Sequence, residues 1–156
     1  MAEVKTNAMR MLDRAKIAYV LHTYSPDEGI DGISVARKLG QPEERVYKTL
    51  VTKGKSTHFV FVIPVAAELD LKAAAKAVGE KAVEMIAVKD INKVTGYIRG
   101  GCSPVGMKKA FLTVIDETAK SLPAIFVSGG RIGLQMEIDP TVLAAFIGAD
   151  FAPIIH

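Results

Sequence analysis

Val46-Tyr47-Lys48-Thr49-Leu50-Val51-Thr52-Lys53-Gly54-Lys55-Ser56-Thr57-His58-Phe59-Val60-Phe61-Val62-Ile63 is the stretch on which the fold turns. Val46 to Thr52 and His58 to Ile63 are dense in β-branched and aromatic residues, the composition of strands. Between them Lys53-Gly54-Lys55-Ser56 has the polar, glycine-containing character of a hairpin turn. One residue breaks the pattern. Period-two alternation puts Lys48 on the strand face shared by Val46 and Leu50, and no acidic residue follows until Glu68. A lysine there can guard a sheet edge against aggregation. It can equally be a cation held in a cleft, where desolvation strengthens its pull on an anion.

Upstream of the hairpin, Thr6 to Lys16 spaces Met9, Leu12 and Ala15 as on one helix face, behind a Thr6/Asn7 cap candidate. Ile17 to Thr23 predicts a strand, and Ile33 to Leu39 a helix capped by Asp31 or Ser34 and ended by Gly40 before Pro42. Downstream, Asp70 to Val78 predicts an alanine-rich helix with Asp70 as N-cap and Gly79 as its stop. A short strand near Val83 to Ala87 and a charged helix around Lys89 to Val94 follow. From Gly96 onward glycine turns alternate with short strands at Phe111 to Ile115, Ala124 to Val127 and Leu134 to Ile138; Pro140 opens a last helix that runs to Ile147. Hairpins mixed with single helices are not the strict alternation of a doubly wound sheet. The expected class is α/β: a single domain over 1–156, with a mixed, curved, barrel-like β-sheet surrounded by helices.

Composition narrows the function classes. At 156 residues, 49% hydrophobic and 24% charged, the chain is long enough to bury a core without a disulfide or metal staple. Twenty Lys and Arg against seventeen Asp and Glu leave +3, a scattered excess that permits contact with RNA without forming the basic stripe of a dedicated nucleic-acid module. No DNA-binding signature is present. One cysteine, Cys102, excludes an internal disulfide and suits a reducing compartment. Met1 to Lys16 is interrupted by Glu3, Lys5, Arg10 and Asp13, so it lacks the apolar core of a signal peptide, and no stretch predicts a membrane helix. A cytoplasmic protein is expected.

Several chemistries are not supported. The three histidines, His22, His58 and His156, lie far apart with no ligand-type spacing, so no metal site is predicted. Gly101-Cys102-Ser103-Pro104-Val105-Gly106-Met107-Lys108 has Met107 where a phosphate loop needs lysine, and no dinucleotide fingerprint occurs, so no cofactor is implied. Ser128 lacks the glycine two residues before it that a nucleophile elbow requires. The loops Gly100-Gly101-Cys102-Ser103-Pro104-Val105-Gly106 and Gly129-Gly130 offer backbone amides that could nest an anion or a developing oxyanion, or could simply be turns. Cys102 has no nearby His or Lys in sequence to activate it, which suits a small loop side chain better than a nucleophile.

Taken in order, Lys5-Thr6-Asn7-Ala8, His22-Thr23-Tyr24, Val46-Tyr47-Lys48-Thr49-Leu50, Glu68-Leu69-Asp70-Leu71-Lys72-Ala73-Ala74, Gly96-Tyr97-Ile98-Arg99-Gly100-Gly101-Cys102-Ser103-Pro104-Val105-Gly106 and Val127-Ser128-Gly129-Gly130-Arg131 resemble the motifs of the YbaK/EbsC family over nearly the whole chain. The resemblance implies a free-standing relative of the editing domain inserted in bacterial prolyl-tRNA synthetases. It implies an aminoacyl-tRNA deacylase acting on cysteine attached to proline tRNA or cysteine tRNA, with the synthetase as partner. Related editors take alanine or another small residue, and a non-catalytic tRNA- or synthetase-binding relative is the reading from a different class. Residue by residue, the resemblance assigns the family lysine to Lys48, the strand tyrosine to Tyr24, oxyanion-type glycines to Gly100 and Gly101, and the pocket serine to Ser128, with Gly129 beside it. The implied mechanism has the substrate's own thiol attack its ester carbonyl, releasing tRNA and a thiolactone that water then opens. The protein supplies no nucleophile in that scheme. With a reference pKa near 8.5, about 3% of a thiol is ionised at pH 7, a deficit of roughly 2 kcal/mol that a nearby ammonium could partly offset.

Overall fold

The structure is a computed structural model, and it describes residues 5–156. Residues 1–4, part of the segment read above for an export signal, lie outside the described residues. Among the described residues, five α-helices and eight strands follow in chain order: α1 Asn7–Arg14, β1 Val20–Thr23, α2 Gly32–Leu39, β2 Tyr47–Lys53, β3 His58–Pro64, α3 Leu71–Ala77, β4 Glu84–Met85, α4 Ile91–Thr95, β5 Leu112–Asp116, β6 Ile125–Ser128, β7 Leu134–Ile138, α5 Pro140–Ile147 and β8 Asp150–Ala152.

The hairpin read from the sequence is the centre of a five-stranded mixed sheet ordered β4-β2-β3-β5-β8. β2 and β3 pair antiparallel from Tyr47↔Pro64 to Lys53↔His58, whereas β3–β5 and β5–β8 run parallel. β3 is buried on both faces, which explains its unbroken apolar run. Phe59, Phe61 and Ile63 pack with Ala74, Ala75, Val114 and Ile154, and Val62 packs on the other side with Tyr47 and Ile115. Phe61 is fully buried; truncating such a side chain to alanine costs about 3–5 kcal/mol.

β1, β7 and β6 form a second, wholly antiparallel sheet of three strands. Its inward residues Ile125, Val127, Met136 and Ile138 join Met9 and Leu12 of α1 and Leu143 of α5 in the largest core cluster. The expected mixed α/β domain is found, with one correction. The single curved, barrel-like sheet is two sheets, not closed into a barrel. They meet in register at one isolated parallel bridge, Val46↔Phe126, and one bridge leaves no continuous ladder to carry a barrel round.

Local signals explain the helix ends. Thr6 caps α1 by accepting from Met9 N at 3.2 Å, and Asp31 caps α2 by accepting from Ser34 N at 3.2 Å, before Gly40 ends α2 in the left-handed region. Asp70 caps α3 in the same way. Three elements differ from expectation, the first being the strand expected at Ile17 to Thr23, which begins only at Val20. The strand expected at Val83 to Ala87 shrinks to Glu84–Met85, and β8 was not anticipated, because three residues give too little pattern to read.

Candidate active site

A cavity of about 720 Å3 opens between the two sheets, where β2 and β6 separate beyond their single bridge. Its walls include Lys48, Thr49 and Leu50 of β2, Arg99, Gly100 and Cys102 of the glycine loop, and Ser128 and Gln135, which face each other across β6 and β7. Ile30, Asp31, Gly32 and Ile33 close the remaining side. The volume lies within the usual range for small-ligand sites.

Lys48 pairs with Ile63 of β3 on one side. β4 covers β2 only at Thr52 and Lys53, so along Lys48 to Leu50 the other edge of β2 is open. The open edge required by an edge guard is therefore present, but it forms a cavity wall. Among the described residues the Lys48 ammonium makes no hydrogen bond or ion pair. Partial burial lowers the pKa of its ammonium from the ordinary lysine value, and the negative charge of Glu68 acts in the opposite direction. The first acid to follow Lys48 in the sequence is thus the one whose field reaches it. Glu68 is itself largely exposed and lies 3.7 Å from His156.

Lys48, Arg99 and Asp31 are the charged side chains in the lining. Asp31 is committed to its helix. The Ser34 hydroxyl, at 2.6 Å, and then the Ser34 backbone N–H hold its carboxyl below the usual range. The uncommitted charge in the cavity is therefore positive, which favours a substrate that is or becomes anionic.

The polar groups in the wall differ in availability. Gly100 has φ +86°, a region open to glycine, and among the described residues its N–H has no partner in the chain. Gly101 N–H donates to Ile98 O at 2.9 Å, and Gly129 N–H donates to Leu134 O at 2.9 Å. Gly101 also packs against the other glycine loop. A Cβ on it would sit 3.0 Å from Arg131 C and Ile132 N. The Ser128 hydroxyl accepts from Gly130 N at 3.1 Å and keeps its own proton to donate. The loops are held from outside: Thr6 Oγ1 donates to Gly129 O at 2.6 Å and Tyr97 Oη to Val105 O at 2.6 Å.

Of the residues singled out in the sequence, the structure brings Lys48, Gly100 and Ser128 into one cavity. Gly101 and Gly129 shape the loops behind it. Tyr24 is buried outside the lining; its N–H donates to Gly133 O, its hydroxyl has no partner among the described residues, and Lys38 Nζ lies 5.9 Å from its ring centroid. Cys102 does line the cavity, but burial pushes its thiol up to about 11, against a smaller lowering by Thr95.

Sequence reasoning missed Thr49 and Gln135. Thr49 Oγ1 and Gln135 Oε1 are buried in the cavity wall and have no hydrogen-bond partner among the described residues. A buried polar atom left unpaired is costly, so both oxygens are available to a ligand that enters the cavity. Thr49 also turns its backbone that way. Val46 O accepts from Val65 N on the β3 side, and Val51 O accepts from Ile86 N on the other. Ladder alternation then points the Thr49 peptide groups away from β3, along the open edge.

The domain is thus an α/β fold with a cationic cleft between two sheets, the unengaged Gly100 N–H in its wall and its single thiol held protonated. Residues 28–146 match the aminoacyl-tRNA editing domain, and the chain belongs to that family. It is 47% identical over 152 residues, 96% of this chain and 93% of the relative, to a protein of Enterococcus faecalis that carries the provisional name Cys-tRNA(Pro)/Cys-tRNA(Cys) deacylase EbsC. Two crystal structures share the fold at 22% identity. One is a hypothetical protein, at a TM-score of 0.89 over 97% of this chain and 100% of that one. The other is provisionally described as a trans-editing enzyme for prolyl-tRNA synthetase, at 0.83 over 99% of both chains. As a family member the chain is an aminoacyl-tRNA editing protein, a deacylase class of enzyme. Among the described residues no helix is long and apolar enough to cross a membrane.

Proposed function

We propose that this chain clears cysteine from mischarged proline tRNA, and also acts on charged cysteine tRNA, using the thiol of the substrate as nucleophile. The observation that carries the reading is Lys48: a partly desolvated ammonium without a hydrogen-bond or ion-pair partner among the described residues, in a cavity whose own thiol stays protonated. A cation so placed favours the thiolate of a bound cysteinyl ester. The thiolate adds to the ester carbonyl, and the unengaged Gly100 N–H holds the oxygen as it gains charge. The C–O bond to the ribose then breaks, its oxygen takes a proton, and tRNA leaves. The remaining four-membered thiolactone is opened by water to give free cysteine. The Ser128 hydroxyl and the unpartnered Thr49 and Gln135 oxygens position the ester and the amino group. Tyr24, Gly101 and Gly129 support the walls from behind.

A thin net charge of +3 gives little grip on a particular tRNA. Selectivity for proline tRNA therefore comes from association with prolyl-tRNA synthetase, and the cytoplasm, where charged tRNA is made, is the working location.

The test is deacylation by purified protein without synthetase, comparing cysteinyl-, seryl- and alanyl-tRNA. A hydroxyl is hardly ionised at neutral pH, so seryl-tRNA should react at least about 100-fold more slowly than cysteinyl-tRNA. Comparable rates on all three would overturn the thiol mechanism and make activated water the nucleophile. No turnover of any of them would favour the non-catalytic binding reading.

A further inference from the structure

Lys38 stands outside the cavity, yet its ammonium gathers one of the cavity walls. Nζ donates to Ser25 O at 2.7 Å, to Gly29 O at 2.6 Å and to Asp27 O. An ammonium has three N–H donors, and three carbonyls of one loop take them all. The same Nζ lies 5.9 Å from the ring centroid of Tyr24, so the loop, the lysine and the buried tyrosine form one unit. From the geometry we infer that Lys38 is a positioning residue for the deacylation reaction: it fixes the Ser25–Gly29 loop so that Ile30 forms the wall facing Gly100.

The backbone of the loop explains why a clasp is needed. Glu28 has φ +65° and Gly29 φ +120°. A non-glycine residue in the left-handed region is disfavoured and persists only where its surroundings over-determine it. The carbonyls bound by Lys38 belong to Asp27 and Gly29, the residues on either side of Glu28, and to Ser25 just before them. Ile30 comes next and reaches across the cavity. A Cβ on Gly100 would lie 2.9 Å from Ile30 Cδ1, so the loop wall and the amide proposed to hold the ester oxygen are in direct apposition. Without the clasp the loop can leave this conformation, and Ile30 no longer limits the space above Gly100. Lys38 is held to the opposite end of the loop by α2, whose start is pinned by its N-cap Asp31.

The inference rests on the deacylase reading, and its test separates the two. Lys38→Met, Lys38→Arg and Ile30→Ala are compared with the wild type by steady-state deacylation of cysteinyl-tRNA and by amide hydrogen exchange. If the competent loop conformation falls to about one-tenth of the population in Lys38→Met, KM rises about tenfold with kcat nearly unchanged. Exchange within residues 25–31, at Asp27 whose N–H donates to Ser25 Oγ at 3.2 Å, should speed up about tenfold, with no change in β2 or β3. Lys38→Arg, which keeps the charge and several donors, should recover much of both effects. Ile30→Ala should raise KM without loosening the loop. Unchanged exchange and KM in Lys38→Met would overturn the inference, as would a loss of kcat at constant KM. A wild type inactive on cysteinyl-tRNA defeats the deacylase reading alone, and exchange over 25–31 in Lys38→Met still decides the clasp.

Discussion

Lys48 and Ser128 stand in register on two strands that diverge. Each lies two residues beyond the Val46–Phe126 bridge, so the parallel pairing that would have joined them is replaced by the cavity they both line. Period-two geometry puts Lys48 on the face of Val46 and Ser128 on that of Phe126, both fully packed residues. The bridge is thus a hinge point of construction: apolar packing holds the sheets together at Val46 and Phe126, and polar groups occupy the gap immediately beyond it.

Lys48→Ala should lower kcat/KM for cysteinyl-tRNA by about 100-fold or more, the scale for losing a preorganised electrostatic contact. Lys48→Arg should keep partial activity, because the charge remains while its shape and reach change. Full activity in Lys48→Ala would refute the mechanism. Stability should move the other way. Burial lowers the Lys48 pKa, so folding disfavours its charged form; that penalty is present below the folded pKa and fades as pH rises through it. Lys48→Met should therefore have a Tm at pH 7 no lower than the wild type, by calorimetry.

The pH dependence of kcat/KM should be bell-shaped. The rising limb follows ionisation of the substrate thiol, near 8.5 in reference peptides, and the falling limb follows loss of the Lys48 charge. Because the Lys48 pKa is depressed, the fall should begin at lower pH than an ordinary lysine would allow. Lys48→Arg should move the falling limb out of range, since guanidinium stays charged. An identical alkaline limb in Lys48→Arg would assign that ionisation to another group.

Cys102→Ala should retain most deacylation. A thiol at about 11 is ionised in only about one molecule in 10,000 at pH 7, too few for a working nucleophile. The same property should make Cys102 slow to react with iodoacetamide in the folded protein. Loss of several orders of magnitude in activity, with unchanged circular dichroism, would restore it as a nucleophile.

The local parts of this fold were readable because their signals are local. Asp31, Asp70 and Thr6 sit where caps must sit, and the Val46–Ile63 hairpin is written in composition and turn chemistry alone. The division into two sheets was not readable, because it depends on how far β2 and β6 pair across nearly eighty residues of intervening chain. The site divides along the same line. Lys48 stands out because its sequence flanks are apolar. Gln135 does not, because it alternates with Leu134 and Met136 and so reads as part of a solvent face; the cavity wall buries it to 6% exposure. The glycine loops were visible as loops, but which N–H each turn consumes, at Gly101 and Gly129, is a three-dimensional fact.

Thr49→Val separates a ligand-binding hydroxyl from an incidental one. The Thr49 hydroxyl is buried, unpartnered and in the cavity wall beside Lys48, and valine keeps the shape and β-branching of threonine while removing the oxygen. A buried hydroxyl without a partner is a net burden to the free protein, so the substitution should leave Tm unchanged or raise it slightly. If the substrate supplies the missing partner, the same substitution should raise KM or lower kcat/KM by about tenfold, one hydrogen bond's worth of about 1.4 kcal/mol. Thr49→Ser keeps the oxygen and should retain most activity. A Thr49→Val protein that gains stability and loses activity would mark the hydroxyl as part of the binding site. One that gains stability with full activity would show that the oxygen never meets the substrate, and would leave the ester's polar contacts to Ser128, Gln135 and the Gly100 amide.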